Sequence, residues 1–119
     1  MEKNVVNSIY ERLLKEFMDI IIMVKIREVE TRETSGYDIL THFHEKFDLL
    51  VSPGTVYSVL YSMERNGLIR ARGVDRKRMY TLTPKGEATI KAVKDSSEAL
   101  ESFLAQVLKS GEPVATEIT

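Results

Sequence analysis

The side chains best suited to ligand chemistry lie between Ser52 and Arg78, and they are hydroxyl, phenol and basic groups. Hydroxyls and free backbone amides at a helix N-terminus bind phosphate oxygens, and arginine and lysine neutralise phosphate charge. Tyrosine can reach base edges or sugars in a groove of a duplex. Their grouping in one segment favours contact with DNA. The candidate contact residues are Ser52, Gly54, Thr55, Tyr57, Ser58, Tyr61, Arg70, Arg72, Arg76, Lys77 and Arg78.

A helix of about thirteen residues is predicted to carry the first half of this set. Ser52 is a strong N-cap residue, Pro53 suits the first helical position, and Asn66-Gly67 supplies a left-handed stop. The helical period gives this segment two faces. The inner face contains Val56, Val59, Leu60 and Met63, and the outer face contains Gly54, Ser58, Tyr61 and Arg65. Small hydroxyl residues and tyrosines on the outer face favour close contact with a polar surface.

Two short strands around a turn are predicted directly after this helix. The first strand is 68–72, the turn is 73–75 and the second strand is 76–82. Arg70 and Arg72 share one face of the first strand, because side chains alternate along a strand. A capped helix followed by a basic hairpin is the helix-plus-wing arrangement of DNA-binding proteins. Few long base-reading side chains are present, so specificity is expected to be modest and partly shape-based.

A helical stretch opens the chain. Residues 4–29 lack Gly and Pro and repeat apolar residues at steps of three and four, which predicts one long helix or two. The apolar stripe, which we expect to be core, comprises Val6, Ile9, Leu13, Phe17, Ile20 and Val24. Residues 28–34 are almost entirely polar and predict a connecting turn.

A shorter helix is predicted from its N-cap, Ser35, to near Asp48, with Asp38 as a capping-box partner. Its inward-facing residues are Leu40, Phe43 and Phe47. Residues 49–51 predict an apolar turn that joins this helix to the one beginning at Pro53. Two helices joined by a tight turn, the second with a polar outer face, form a helix-turn-helix.

The last helix is predicted to begin at Pro84, after the cap Thr83, and to end near Lys109. Its apolar positions alternate by three and four, which is a heptad seam over about two and a half repeats. The predicted dimer contacts are Ile90, Val93, Ser97, Leu100, Leu104 and Val107. A second copy of the chain is the simplest partner; the alternative is that the helix folds back on the first helix of its own chain. Residues 111–119 are expected to be a disordered tail.

Charge is segregated along the 119 residues, although the net charge is only −1. Residues 1–50 carry seven basic and ten acidic side chains, residues 51–86 carry seven and two, and residues 87–119 carry three and six. The middle segment is therefore at +5, between two segments at −3. A cationic block with acidic flanks is expected of a protein that meets phosphate with one face.

Composition disfavours several other classes of function. The chain has no cysteine, which excludes a disulfide and any cysteine-based zinc or redox site. His42 and His44 lie on different helix faces, which argues against a metal site. No catalytic triad spacing, phosphate-binding loop or paired carboxylates can be identified, so neither an enzyme nor a cofactor is expected. The start lacks a signal-peptide pattern and the longest apolar run, 20–24, is too short to span a bilayer, so a cytoplasmic protein is expected.

Several short motifs fall in a recognisable order and spacing. They are Gly36-Tyr37-Asp38-Ile39, Ser52-Pro53-Gly54-Thr55-Val56-Tyr57, Leu60, Glu64, Gly67-Leu68-Ile69, Arg78, Tyr80-Thr81-Leu82-Thr83 and Gly86. Over about residues 17–110 the chain resembles the PadR family of winged-helix transcriptional regulators. The resemblance implies a homodimer formed by the N-terminal and C-terminal helices, and usually a repressor released by a small molecule or another signal. The single C-terminal helix resembles the short subfamily.

The predicted fold is mainly α with a small β-hairpin: a winged helix-turn-helix plus a long C-terminal dimerisation helix. The expected division is a DNA-binding domain with an N-terminal helical extension at 1–86, the dimerisation helix at 87–110 and the tail. Expected partners are double-stranded DNA, a second copy of the chain and a small-molecule effector that the sequence does not identify.

The expected function is sequence-specific regulation of transcription, as a repressor on an inverted-repeat operator. The alternative, a winged helix used as a protein-interaction module, predicts an apolar outer face on the third helix and does not require a basic wing. The outer face is polar and the wing is basic, which disfavours this alternative.

Overall fold

The structure, a computed structural model, describes residues 2–47 and 51–109. Its elements in chain order are α1 Glu2–Glu16, α2 Met18–Glu28, β1 Glu33–Ser35, α3 Gly36–Phe47, α4 Pro53–Arg65, β2 Ile69–Val74, β3 Lys77–Leu82, α5 Pro84–Asp95 and α6 Ser97–Leu108. The chain divides into two units, Met1–Glu87 and Ala88–Thr119, with the boundary inside α5. No helix in the described ranges is long and apolar enough to cross a membrane.

The N-terminal helical stretch forms two helices, which are divided at Phe17. Phe17 has φ −96° and ψ 9°, outside helical geometry. As expected of a core segment, α2 buries Met18, Ile22, Met23 and Ile26. The predicted stripe is wrong as core for α1 and for Phe17 after it, because Val6, Ile9, Leu13 and Phe17 are exposed; α1 instead contributes Leu14 to the core. Apolar periodicity predicts that a face becomes covered, but it does not reveal whether the same chain or another molecule covers it.

The helix-turn-helix consists of α3 and α4. The Ser35 hydroxyl accepts a hydrogen bond from the Asp38 backbone N–H at 3.0 Å, which confirms the predicted cap of α3. The buried apolar residues of the two helices are Ile39, Phe43, Val56, Leu60 and Met63. The inward positions Leu40 and Phe47 are half-buried. Residues 48–50, which include most of the predicted apolar turn, lie outside the described residues.

The bounds of α4 agree with the sequence analysis. The helix runs from Pro53 to Arg65, thirteen residues, and Ser52 is its N-cap. Gly67 has φ +75°, the left-handed conformation that ends a helix and that glycine adopts without steric cost. These local signals therefore placed the element that carries most of the predicted DNA contacts.

The sheet has three strands in the order β1-β3-β2, so the predicted two-stranded hairpin is incomplete. β1 pairs antiparallel with β3, and Thr34 lies opposite Tyr80. Both of these residues are buried, so β1 closes the edge of the core. The segment was expected to be a connecting turn because three polar residues carry no periodic signal. Its strand conformation depends on pairing with residues more than forty positions away.

The turn of the wing begins at Asp75, two residues after the predicted start at residue 73. β2 continues through Gly73 to Val74, and β3 begins at Lys77. Asp75 and Arg76 form the two-residue loop, with φ values of 48° and 69°. Positive φ at both positions is the type I′ pattern, whose twist matches that of the flanking strands. Gly73 suggested a turn in the sequence, but the hairpin is closed by two non-glycine residues in a less favourable conformation.

The start of α5 is tied closely to the residues that follow α4. The Thr83 hydroxyl donates to the Gly67 carbonyl oxygen at 2.5 Å and accepts from the Gly86 backbone N–H at 3.0 Å. The Thr83 backbone N–H donates to the Leu68 carbonyl oxygen at 3.1 Å. An ideal Cβ on Gly86 would lie 2.1 Å from that same Leu68 oxygen. Thr83 therefore caps α5, as predicted, and glycine is required for the close approach.

The C-terminal segment, which was predicted to be a single helix, forms two helices, α5 and α6, separated at Ser96. Ser96 has φ −98° and ψ 10°, and its backbone N–H is shared between the Ala92 and Val93 carbonyl oxygens at 3.1 Å each. Asp95, Ser96 and Ser97 have weak helix propensity because their side chains compete for backbone hydrogen bonds. The predicted tail at 111–119 lies outside the described residues.

Candidate nucleic-acid interface

The first turn of α4 presents the Ser52 and Thr55 hydroxyls and the backbone N–H of Gly54, since the Val56 N–H donates to the Ser52 carbonyl oxygen. The Ser52 hydroxyl accepts a hydrogen bond from the Thr55 backbone N–H at 3.1 Å and lies 2.8 Å from the Thr55 hydroxyl. Ser52, Gly54 and Ser58 are exposed, and Thr55 is half-buried. Free amides in a first helical turn, with hydroxyls beside them, can bind phosphate oxygens.

Two tyrosines cover the outer face of the same helix. Tyr57 is held against α3: an ideal Cβ on Gly36 would lie 2.6 Å from its Cε1 atom, so glycine leaves room for the ring. Tyr61 is 63% exposed, and the Arg65 guanidinium lies 5.7 Å from its ring centroid. This separation is within the range of a cation–π contact. Both phenols are thus placed on the polar face by neighbouring residues.

Replacing Thr55 with glutamate tests whether this face meets DNA. Position 55 is the third of α4, where a glutamate suits a capping box with Ser52 and the helix dipole, so the fold should be retained. A negative charge there would repel phosphate and is expected to weaken duplex binding by about tenfold or more at low salt, comparable to removing one cationic group from the interface. Thr55→Gln is the matched neutral control. Equal duplex affinities of the two variants, measured by fluorescence anisotropy, would remove α4 from the interface.

The wing cations fall into two groups. Arg70, Arg76 and Lys77 are exposed and make no ion pair with another described residue. Arg72 is held by both carboxylate oxygens of Glu33, at 2.6 and 2.7 Å. Arg70 and Arg72 lie on the same face of β2, because side chains alternate along a strand. Arg72 lies opposite Met79, so Met79 and Lys77 of β3 lie on that same outward face. Arg78 lies on the other face, which is the face toward α4.

Arg78 is paired with Glu64 of α4. Its Nη2 lies 3.1 Å from Oε1 and 3.4 Å from Oε2 of that carboxylate. Interaction with the buried Tyr80 side chain, followed by the charge of Glu64, raises the pKa of Arg78. The predicted contact residues therefore include two arginines that already have partners, a property that one-dimensional charge counting does not reveal.

The ion pair between Glu33 and Arg72 shifts the pKa of both residues. The hydrogen bond from Arg72 lowers the pKa of the Glu33 carboxyl, and the same bond raises the pKa of Arg72. Because the carboxyl pKa is lowered on folding, this pair contributes to stability above the unfolded pKa. The contribution is lost as the pH falls through the folded pKa.

Two adjoining clefts lie between the helix-turn-helix and the wing. The larger, about 450 Å³, is lined by Tyr57, Tyr61, Glu64, Arg65, Arg78 and Tyr80. The smaller, about 330 Å³, is lined by Ser35, Gly36, Tyr37, Tyr57, Arg76, Lys77 and Arg78. Tyr57 and Arg78 line both clefts, which therefore form a continuous furrow beside the exposed face of α4.

Six lining residues of this furrow were not among the sequence candidates: Ser35, Gly36, Tyr37, Glu64, Arg65 and Tyr80. Tyr37 is exposed at the start of α3 and lines the smaller cleft. Glu64 and Arg65 line the larger one. Arg65 was assigned to the outer face of α4 and could have been included on that basis. Glu64 and Tyr37 become candidates only through long-range packing of α4 and α3 against β3.

The predicted dimer contacts differ in exposure. Ile90 is buried in the single chain and offers no surface to a second copy. Val93 and Leu100 are half-buried, and Ser97 is exposed. Leu104 and Val107 are 43% and 63% exposed, as are their apolar neighbours Phe103 and Leu108 at 50% and 78%. The exposed part of the seam thus lies in α6.

Solved structures with a similar fold include transcriptional regulators. The chain matches a regulator from Clostridium thermocellum with a TM-score of 0.68 and 24% identity, covering 82% of this chain and 96% of that one. It matches Bacillus subtilis PadR in complex with operator DNA with a TM-score of 0.54 and 23% identity, covering 86% and 51%. It also matches Bordetella bronchiseptica BpsR, with a TM-score of 0.66 and 16% identity, covering 92% and 83%.

These structural likenesses show a common fold. No curated protein matches the chain. The family of PadR-like transcriptional regulators matches residues 26–92, from the end of α2 through the helix-turn-helix and wing into α5. That range is more than half of the sequence and contains the whole furrow, so the chain belongs to the PadR-like family of transcriptional regulators.

Proposed function

We propose that this protein binds double-stranded DNA sequence-specifically as a homodimer and represses transcription from an inverted-repeat operator. The observation that carries the proposal is the exposed polar face of α4 beside three wing cations that make no ion pair with a described residue. A helix with hydroxyls in its first turn and a basic hairpin at its side offers base-reading and phosphate-binding groups together. An interaction module for protein partners would instead need an apolar surface at this face.

In this proposal α4 enters the major groove and the wing lies along the phosphate backbone. Ser52, Gly54 and Thr55 approach phosphates with hydroxyls and amides, while Tyr57, Ser58 and Tyr61 approach base edges or sugars. Arg70, Arg76 and Lys77 contribute charge without sequence information. Because most of these side chains are short or aromatic, a substantial part of the specificity comes from the shape of the duplex.

Unpartnered apolar surface supports the homodimer. On α1 and the residue after it this surface comprises Val5, Val6, Ile9, Tyr10, Leu13 and Phe17, and on α6 it comprises Phe103, Leu104, Val107 and Leu108. Contiguous exposed apolar patches mark sites of association. A two-fold dimer that covers both faces would place two copies of α4 roughly 34–36 Å apart, about one turn of DNA. An inverted-repeat operator follows from that symmetry.

Repression is the regulatory direction we propose, since a dimer that spans about one DNA turn within a promoter would compete with transcription initiation. A small-molecule effector is also part of the proposal. The BpsR structure is described as showing regulation of DNA binding by 6-hydroxynicotinic acid, so one protein of this fold is controlled in that way.

Selection of bound sequences from a random pool of DNA duplexes tests the proposed function directly. The expected product is an imperfect inverted repeat whose half-sites are separated by about one helical turn. Enrichment of a single half-site would contradict the dimer. The absence of any enriched sequence would contradict sequence-specific binding altogether.

Neutralising the tip of the wing should weaken binding to specific and random DNA alike. The suitable variant is Arg76→Gly with Lys77→Gln, because glycine accommodates the positive φ of position 76 and leaves the turn intact. Removing each cationic group that meets a phosphate should flatten the slope of log affinity against log salt by about 0.9. Lys91→Gln with Lys94→Gln removes two lysine charges from α5 and is the control. An unchanged slope in the wing variant would exclude the tip from the interface.

A further inference from the structure

Glu64 is unusual among the residues that line the furrow. Between residues 51 and 86 the chain has seven basic side chains and only two acidic ones, Glu64 and Asp75. Asp75 belongs to the turn at the tip of the wing. Glu64 instead lines the larger cleft with Tyr57 and Tyr61, on the side that the proposed function assigns to DNA. A carboxylate at that place opposes the approach of phosphate and therefore needs a physical explanation.

The partner of Glu64 supplies that explanation. Glu64 projects from the last turn of α4, and Arg78 projects from β3 on the face toward that helix. Their ion pair is 3.1 Å long, and Arg78 lines the same cleft as the buried Tyr80. The ion pair favours a guanidinium position beside α4, where 59% of the Arg78 side chain remains exposed. An arginine on a wing would otherwise sample many rotamers and follow any nearby phosphate.

A restricted arginine distinguishes between modes of binding. In non-specific complexes the protein occupies many registers on the duplex, and mobile cations can meet phosphates in all of them. An arginine that is held in place meets a phosphate only in docking geometries that bring one to its remaining N–H donors. The carboxylate beside it also repels any phosphate that approaches in another way. Both effects penalise random DNA more than a cognate site.

We propose that Glu64 is a specificity-determining residue of the DNA site, which acts by positioning Arg78 and by lowering affinity for non-cognate DNA. The inference rests on the proposed function, because it assumes that the furrow faces a duplex. The Glu33–Arg72 and Glu64–Arg78 ion pairs then have different roles. Glu33 holds Arg72 on the outward face of the sheet, whereas Glu64 holds Arg78 beside the helix that reads the groove.

Glu64→Gln tests the proposal because glutamine keeps the size of the side chain and removes its charge. Affinity should be measured for a random-sequence duplex and for the operator selected as above, across a range of salt concentrations. One additional phosphate contact scales affinity with salt to the power of about −0.9, which corresponds to roughly fifteenfold tighter random binding per chain near 50 mM salt and about fourfold near 200 mM. The operator should gain less, so the ratio of operator to random affinity should fall.

Two further variants separate this role from a structural one. Glu87→Gln removes the same charge from a glutamate that pairs with Arg32 of the loop before β1, and it should leave both affinities unchanged. Arg78→Gln removes the cation that Glu64 positions, so adding Glu64→Gln to it should change random binding much less than in the wild-type background. If the Glu64–Arg78 ion pair were only structural, Glu64→Gln would lower thermal stability. It would not steepen the salt slope of DNA binding or change the ratio of operator to random affinity.

The outcomes distinguish this inference from the proposed function. If the wild-type protein selects no sequence, the proposed function fails. If it selects an operator while Glu64→Gln leaves random binding unchanged, or raises both affinities by the same factor, the role of Glu64 fails and the DNA site stands. A steeper salt slope for random DNA, together with a reduced affinity ratio, supports the inference.

Discussion

Replacement of Gly86 by alanine is expected to destabilise the DNA-binding unit by at least about 3 kcal/mol, the upper end of the usual cost of overpacking. The new Cβ would lie 2.1 Å from the Leu68 carbonyl oxygen and 3.1 Å from its carbonyl carbon. These are backbone atoms, so no rotamer change can relieve the overlap. Moving them apart would break the hydrogen bond from the Thr83 backbone N–H to the same oxygen.

The consequence would extend beyond this one overlap, because the junction joins the end of α4 to the start of α5. Total folding stabilities of single domains are about 5–15 kcal/mol, so a loss of this size would be visible as a large fall in the chemical denaturation midpoint. The measurement is urea unfolding followed by circular dichroism at a fixed protein concentration, since dimerisation would add to the apparent stability.

Gly73→Ala is the matched control for the glycine at the junction. Its ideal Cβ has only the Lys77 carbonyl oxygen nearby, at 4.0 Å, and Gly73 lies within β2. Alanine in a strand loses less conformational entropy on folding than glycine does, so a gain of about 0.5–1 kcal/mol is expected. Opposite signs for the two substitutions would verify the geometry. Gly86→Ala with wild-type stability would show that the α5 junction is more open than described.

The elements that sequence reasoning placed well are those whose ends carry local signals. Ser52, Pro53 and Gly67 each act within a few residues of the chain, by capping, by a preset φ and by left-handed geometry, and α4 begins and ends where they indicate. The same is true of Ser35 at the start of α3. Short-range physical causes of this kind can be read directly from the order of residues.

The features that were missed depend on distant partners. β1 is a strand because residues 33–35 pair with β3, and no local pattern in these residues indicates pairing. The two-residue turn at Asp75 and Arg76 follows from the register of β2 against β3, which Gly73 obscured. The candidate site was incomplete for the same reason, because part of it depends on residues that are distant in the sequence. Its eleven residues came from type and spacing, whereas the Glu33–Arg72 and Glu64–Arg78 pairs join positions that are far apart in the chain.

The surface of α6 leads to the second large expected effect. Leu104→Asp should convert a dimeric protein into monomers that bind the operator weakly. Leu104 is 43% exposed in the single chain, so the substitution does not disturb the core of one protomer. Covering a leucine side chain at a symmetric interface contributes about 1.5–3 kcal/mol, and two-fold symmetry places the change in both chains at once. Burying an unpaired carboxylate there adds a desolvation cost of several kcal/mol.

Gln106→Asp provides the control, because it adds the same charge to an exposed position of α6 that lies off the predicted seam. Sedimentation equilibrium at micromolar concentration should show a dimer for the wild type and this control, and a monomer for Leu104→Asp. The monomer holds one half-site only, so its operator affinity should approach its affinity for random DNA. A monomeric wild type would contradict the proposed homodimer. A dimeric Leu104→Asp variant with full operator affinity would instead move the interface away from α6, and the exposed apolar face of α1 would then be the surface to test.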